Sequence, residues 1–385
     1  MDIATMATVP ARPTWIEVDL AAVAHNVRAL RAHVAPAAVW SVVKADGYGH
    51  GAVPVARAVL AAGAEGLAVA LVEEAEELRN AGIVAPVLLL SEPPPGAVGR
   101  ARAAGVEPTV YSAEVVAESA SVSAGDSAGP WPLHLKIDTG MHRVGAQPDE
   151  AVALARAIDA DPGLHLASVW THLAVADELD ALLTEVQLAR LDQVCAAIVA
   201  AGVAVPCRHA ANSAGALVHP AARLDRVRFG IAVYGIPPAP GLDGGVDLRP
   251  ALRFVSQVSH VKVVAAGEAV SYGQRYRVAH DTTIATVPVG YADGLRRALG
   301  TAGAEVLIGG RRWPIAGTVT MDQITVDCGP GSSVARGDEV VLIGRQGTEV
   351  ISAEEWADQL DTIAYEVTCG LGRRVPRRTA TDSRG

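Results

Sequence analysis

The chain has 385 residues, half of them hydrophobic and 19% charged. That is a globular composition, long enough for two domains, since one core rarely grows past roughly 250–300 residues. A formal net charge of −10 argues against a general binder of nucleic acid or anionic membrane, and the scattered Cys195, Cys207, Cys328 and Cys369 form no CxxC pair for zinc or redox chemistry.

The first residues carry no basic segment followed by an apolar core, and no apolar run approaches the ~20 residues of a bilayer span. With free thiols, these features point to a cytoplasmic enzyme. Asp19 can cap a helix whose apolar face is Leu20, Val23, Ala24, Val27 and Leu30. A buried strand follows at 39–43. The next helix runs through Val55, Val59 and Leu60 and stops at Gly63. Strand 67–70, helix 73–80 and strand 87–90 continue the alternation. Further strands are expected at 108–111, 133–137, 167–171, 208–210 and 226–229.

About eight strand–helix units fit a (β/α)8 TIM-type barrel. An open doubly wound sheet, which usually needs fewer units, is the alternative. Residues 236–249, rich in Pro, Gly and Asp, read as a linker. Beyond them the pattern is mostly β, with strands at 253–264, 282–289, 305–308, 324–327 and 339–343. Ser352 and Glu355 form a capping-box pattern, and the basic tail after Pro376 is expected to fray. The expected fold is therefore α/β: a barrel over 15–240, then a mostly β C-terminal domain of 241–385 that residues 1–14 can join.

Several segments carry candidate chemistry. Val42-Val43-Lys44-Ala45-Asp46-Gly47-Tyr48-Gly49-His50-Gly51 places a lysine where a strand opens into a glycine-rich turn. In a barrel that is the catalytic mouth, where partial drying turns an amine into a nucleophile toward an aldehyde. Taken alone, Lys44 could equally be a snorkelling strand-end lysine. Ser213, in His209-Ala210-Ala211-Asn212-Ser213, and the Gly230-Ile231 amides suit a phosphate. Asn212-Ser213 can also be an ordinary helix cap. Arg143, in the loop after Lys136, could clamp a carboxylate or simply be solvated. His172 shares a strand-end position with Lys44 and Arg228, against the alternative of a satisfied core histidine. In the β region, Ser271-Tyr272-Gly273, Gly290-Tyr291-Ala292-Asp293-Gly294 and Thr320-Met321-Asp322-Gln323 read alone as turns.

Taken together, these segments resemble the alanine racemase family of fold-type III pyridoxal-phosphate enzymes. The likeness extends from about Trp15 to Pro376 and includes Arg226-Val227-Arg228-Phe229-Gly230-Ile231 and Ile363-Ala364-Tyr365-Glu366-Val367. It implies pyridoxal 5'-phosphate as cofactor, and interconversion of L- and D-alanine by two bases acting on a pyridoxal-phosphate aldimine, to supply peptidoglycan. Lys44 would be the Schiff-base lysine and one base. Tyr272, the other base, would come from the partner subunit of a homodimer. Tyr48, Ser213, Gly230, Ile231 and Tyr365 would hold the phosphate, and Arg228 would face the pyridine nitrogen. Arg143 and Met321 would meet the substrate carboxylate. His172 would link Tyr272 to Arg228, Tyr291 and Asp322 would line the entrance, and Lys136 matches a lysine that is often carbamylated. No metal is implied. Thr320 departs from the family, which often has cysteine there.

An arginine at the pyridine nitrogen leaves the ring a weak electron sink, because it does not readily give that nitrogen its proton. That favours racemisation over barrel-class decarboxylation, whose enzymes resemble this chain less at Arg228. A racemase with a wider pocket, for serine for example, and a non-catalytic cofactor carrier are the other readings. Tyr272 and the β domain weigh against the carrier.

Overall fold

The computed structural model describes residues 12–125 and 129–379. The chain folds as two compact units, one of Leu20–Pro250, the other of the described residues up to Asp19 together with those from Ala251 onward. Strand β1 (Thr14–Val18) opens the second unit, with Thr14, Ile16 and Val18 buried and the residues between them half-buried. The strand alternation there places its apolar face in a sheet. The N-terminal part of the β unit thus runs on to Asp19, a few residues past residue 14. At the other end, the expected linker belongs to the barrel unit. Asn26, buried on the first helix, donates to Val233 O (3.0 Å) and accepts from Arg249 N–H (2.8 Å), tying that segment down.

The barrel unit holds β2 (Ala38–Val42), β3 (Gly66–Val69), β4 (Val87–Leu89), β5 (Glu107–Val110), β6 (Trp131–Lys136), β7 (Leu164–Trp170), β8 (Arg208–His209) and β9 (Arg226–Phe229). Each pairs in parallel with the next, and β9 pairs with β2, so the sheet closes. Closure decides against the open doubly wound sheet. Helices such as Leu20–Val34, Ala52–Ala61 and Leu183–Ala200 connect the strands. On the first, Val23, Val27 and Leu30 are buried at helical spacing. The strand interiors depart from a usual barrel, where branched apolar residues dominate. His134, Lys136, Ser168, His209 and Arg228 are all buried on β6–β9.

The β unit continues with β10 (Leu252–Gln257), β11 (His260–Val264), β12 (Ala269–Val270), β13 (Tyr276–Arg277), β14 (Thr282–Val287), β15 (Glu305–Ile308), β16 (Arg311–Pro314), β17 (Ile324–Asp327), β18 (Glu339–Gln346), β19 (Glu349–Ile351) and β20 (Arg377–Thr379). One sheet runs β16-β15-β18-β10-β1-β20 with β19 on β18, a second β11-β14-β17, and a third β12-β13. The single strand expected over 253–264 is two. At Val258 and Ser259 the backbone turns from Asp338 O to Thr286 O, passing the chain between sheets. The tail beyond Pro376 is not frayed at its start, since β20 pairs in parallel with β1. The capping box closes on one side only: Ser352 Oγ accepts from Glu355 N–H (3.1 Å), while the Glu355 carboxylate goes to Arg312 (2.8 Å). Among the described residues no helix is long and apolar enough to cross a membrane, and no group of three or more His, Cys, Asp or Glu could hold a metal ion.

Candidate active site

Lys44 follows β2 at the C-terminal end of the barrel, half-buried, and opens a left-handed turn. Ala45, Asp46, Gly47 and Tyr48 have φ of 53°, 53°, 60° and 53°. For non-glycine residues that conformation costs roughly 1–2 kcal/mol each, so the surroundings must enforce it. Glu74 does so with one carboxylate, accepting Ala45 N–H (2.7 Å) on one oxygen and Ala70 (2.8 Å) and Leu71 (3.1 Å) N–H on the other. Asp46 accepts from Ala52 N–H (2.9 Å). Tyr234 donates its hydroxyl to Val42 O (2.9 Å) and packs its ring against Tyr48 and His50. Glu74 and Tyr234 fix the lysine's strand end, and the sequence reading passed over both.

The two readings of Asn212-Ser213 are each realised, by different residues. Asn212 caps helix Ser213–Val218 by accepting Gly215 N–H (2.9 Å). Ser213 turns its hydroxyl away, accepting Gly230 N–H (3.0 Å). Tyr48 Oη lies so close to Gly230 that a Cβ there would sit 2.5 Å from it. Two hydroxyls and a backbone amide thus converge on a spot that only glycine leaves open, with buried Ile231 next in chain. This is donor chemistry suited to a phosphate.

Arg228 is the most constrained charge of the barrel. Its Nη1 donates to His209 Nδ1 (2.6 Å). Its Nη2 donates to Thr171 O (3.0 Å), Ala210 O (2.9 Å) and His172 Nδ1 (3.3 Å). The guanidinium lies over the Trp170 ring (4.5 Å). Its acceptors are neutral, and burial pushes its pKa down to about 9, so it stays charged at neutral pH. Burial and the Arg228 charge hold both His172 and His209 well below the usual histidine range, as neutral acceptors.

Lys136 is buried at the end of β6, its ammonium 4.6 Å from the Trp170 ring centre. Burial, then the Arg228 and Arg143 charges, push its pKa down to about 7. Asp138 shapes the following loop, accepting Gly140, Met141 and His142 N–H on one oxygen (3.0–3.1 Å). That loop carries Arg143, which is exposed. Lys44, Lys136, Arg143 and Arg228 therefore form a cationic cluster, each of the other three depressing Lys136.

In the β unit, Tyr272 sits on a short turn, 74% exposed. Ser271 before it has φ 65°, a strain locked by Ser271 Oγ donating to Thr318 O (2.7 Å) and Thr318 Oγ1 donating to Tyr272 O (2.8 Å). Tyr272, Tyr291, Met321 and Asp322 line one cavity of about 520 Å³. Asp322 is gripped by Arg374 (2.6 Å), itself anchored on Asp293. Thr320 Oγ1 donates to Gln323 O (2.7 Å) and accepts from Gln323 N–H (3.2 Å), a turn bond that a cysteine makes poorly. Tyr365 is half-buried on helix Ala364–Cys369 and does not line that cavity.

The model of the alanine racemase N-terminal domain matches residues 18–238, and that of the C-terminal domain matches residues 251–379. An alanine racemase of Symbiobacterium thermophilum is 49% identical over 367 residues, covering 95% of this chain and 97% of the relative. The crystal structure of alanine racemase from D-cycloserine-producing Streptomyces lavendulae superposes with a TM-score of 0.91 at 38% identity, covering 97% of this chain and 98% of that one. A histidine racemase of Leuconostoc mesenteroides subsp. sake superposes at 0.88 with 27% identity, over 97% and 99% of the two chains. The barrel, the separate β unit and both matched halves agree, and the chain belongs to the alanine racemase family.

Proposed function

We propose that this chain interconverts L- and D-alanine with pyridoxal 5'-phosphate, and that it supplies D-alanine for peptidoglycan in the cytoplasm. The observation that carries the reading is the buried Arg228 cation, bound to neutral acceptors beside the Tyr48–Ser213–Gly230 cradle. Lys44 would carry the cofactor covalently. Tyr48, Ser213, Gly230 and Ile231, with Tyr365, would hold its phosphate. Arg228 would face its ring nitrogen, and Arg143 its phenolic oxygen. When bound, the cofactor supplies an electron sink that acidifies the substrate Cα–H.

Racemisation needs one proton carrier on each face of Cα. Lys44 Nζ would take or return the proton on one face and Tyr272 Oη on the other. Both reference pKa values lie near 10, so each requires tuning toward neutrality. Burial and the neighbouring cations ease loss of the proton at Lys136. Arg143 and Met321 would orient the carboxylate, His172 would join Tyr272 to Arg228, and Tyr291 and Asp322 would screen entry. A tyrosine ring 74% exposed on a strained, doubly braced turn is suited to burial by a second copy of this chain, so the working unit would be a homodimer. Lys136, half neutral near pH 7, would take up carbon dioxide as a carbamate and brace Arg143.

The test is incubation with L-alanine in D2O, with and without added pyridoxal phosphate. Loss of optical rotation together with α-deuterium, both requiring cofactor, is expected. Bound cofactor with neither change would overturn the alanine assignment. The likeness to a histidine racemase supports a second reading, a wider pocket for a larger amino acid. The same assay with serine and histidine decides it.

A further inference from the structure

A hydrogen-bonded chain crosses the barrel interior behind Arg228. Arg228 Nη1 meets His209 Nδ1 at 2.6 Å. His209 Nε2 meets Ser168 Oγ at 2.9 Å. Ser168 Oγ meets His134 Nδ1 at 2.6 Å, and His134 Nε2 meets the Glu107 carboxylate at 2.9 Å. The links come from β9, β8, β7, β6 and β5 in turn. His134, Ser168 and His209 are buried, whereas the Glu107 side chain is 20% exposed at the start of its strand.

The two ends dictate one direction. A guanidinium only donates, so His209 Nδ1 must accept and its proton sits on Nε2. That N–H donates to Ser168, whose hydroxyl hydrogen is then left for His134 Nδ1. The His134 proton is thereby on Nε2, facing a carboxylate that only accepts. Burial keeps both histidines below the usual range, hence neutral with one proton each. The reverse polarity would need a donating carboxylate and an accepting guanidinium. Trp170 stacks on the His209 ring (5.3 Å between centres, 12°), which fixes its plane.

Resting on the cofactor reading above, we propose that Glu107, Ser168 and His134 are positioning residues of the racemase. Through this directed chain they hold His209 in the single tautomer that accepts from Arg228, and so aim the guanidinium at the place of the cofactor ring nitrogen. The carboxylate is the remote counter-charge of Arg228, reached through neutral groups, so it does not neutralise the cationic cluster.

The experiment uses ¹⁵N-histidine NMR on wild type, Ser168→Ala and Ser168→Thr, each with and without pyridoxal phosphate, alongside titration of cofactor affinity. The wild type should show His209 protonated on Nε2 alone. Ser168→Ala leaves the buried His209 Nε2–H without its acceptor, which should loosen the Arg228–His209 bond, mix the His209 tautomers and weaken cofactor binding by about tenfold, or about 1.4 kcal/mol. Ser168→Thr, which keeps the hydroxyl, should restore both. A wild-type His209 protonated on Nδ1, an unmixed tautomer in Ser168→Ala, or mixing with unchanged affinity would each overturn the proposal. Should Ser168→Ala fail to fold, Glu107→Gln at the partly exposed strand start reads the same chain. It should mix the His134 tautomers and weaken binding, and unchanged spectra would overturn the idea. Tautomers are also read without cofactor. A wild type that binds no pyridoxal phosphate would therefore sink the proposed function, a result distinct from failure of the chain.

Discussion

Asp293 in the β unit and Arg228 in the barrel are both buried charges, and their surroundings push them in opposite directions. Asp293 meets Arg12 (2.5 Å), Arg374 (2.6 Å) and the Gly290 amide (2.8 Å). Burial alone would raise its pKa, yet these partners hold it below the carboxylate range. Arg312 is likewise surrounded by Glu355 (2.8 Å), Glu305 and Glu349 (3.1 Å each), which raise its pKa. In the barrel, Arg228 and Lys136 are pushed toward losing their protons, by burial and by other cations. A charge kept beside its opposite is held in its charged form. A cluster of like charges with neutral acceptors leaves positive potential for something that arrives later, such as a phosphate or a carboxylate.

The contrast can be broken at its strongest point first. Arg228→Glu should cut turnover by about 10³-fold and produce a new long-wavelength absorbance band when alanine is added to the cofactor-loaded protein. Unchanged spectra would remove Arg228 from the cofactor ring. Asp293→Ala, which frees two partly exposed arginines and the Gly290 amide, should cost about 1–2 kcal/mol in urea unfolding. A loss under 1 kcal/mol would mean that the pairing is ornamental.

Lys136→Met should act in the other direction. The folded pKa of about 7 lies below the unfolded value, so the folded state binds fewer protons between the two. The penalty is therefore complete below pH 7 and fades as pH rises toward about 10.4. The variant should melt above wild type at pH 6–7, and the gap should close by pH 10. A gap independent of pH would point to packing alone. The smallest effect is local: Ser352→Ala should cost about 1 kcal/mol, through loss of one cap, measured by the shift of the urea midpoint.

The chemistry-bearing segment at Lys44 was legible because its strain is written locally, in glycines and in a tyrosine next to them. The barrel was legible for a similar reason, as the strand at 226–229 coincides with β9 and the others fall within a few residues of their expected places. What escaped notice has partners far away in sequence. β20 is Arg-Arg-Thr, with no apolar alternation to announce it, and it is held by backbone pairing with β1. The bond from Arg228 to His209 joins two strands, and nothing in either segment names the other. Glu74 looks like one more acid in an acidic helix until its two oxygens are seen to collect three amides. The resemblance to a family supplied roles for Arg228 and His172, and had no word for Ser168 or Glu107.

β1 has a consequence for how the protein is made. Its Thr14 hydroxyl meets Ser256, 242 residues further along the chain. At roughly 5–20 residues per second, a ribosome needs on the order of ten to fifty seconds to deliver that partner. During this interval the nascent strand Thr-Trp-Ile-Glu-Val has an open edge on both sides. The whole barrel sequence emerges before either edge can be covered, and β20, which closes the second, emerges later still than β10. Glu17 within that strand is a charge of the kind that guards a waiting edge against a neighbour on the same message.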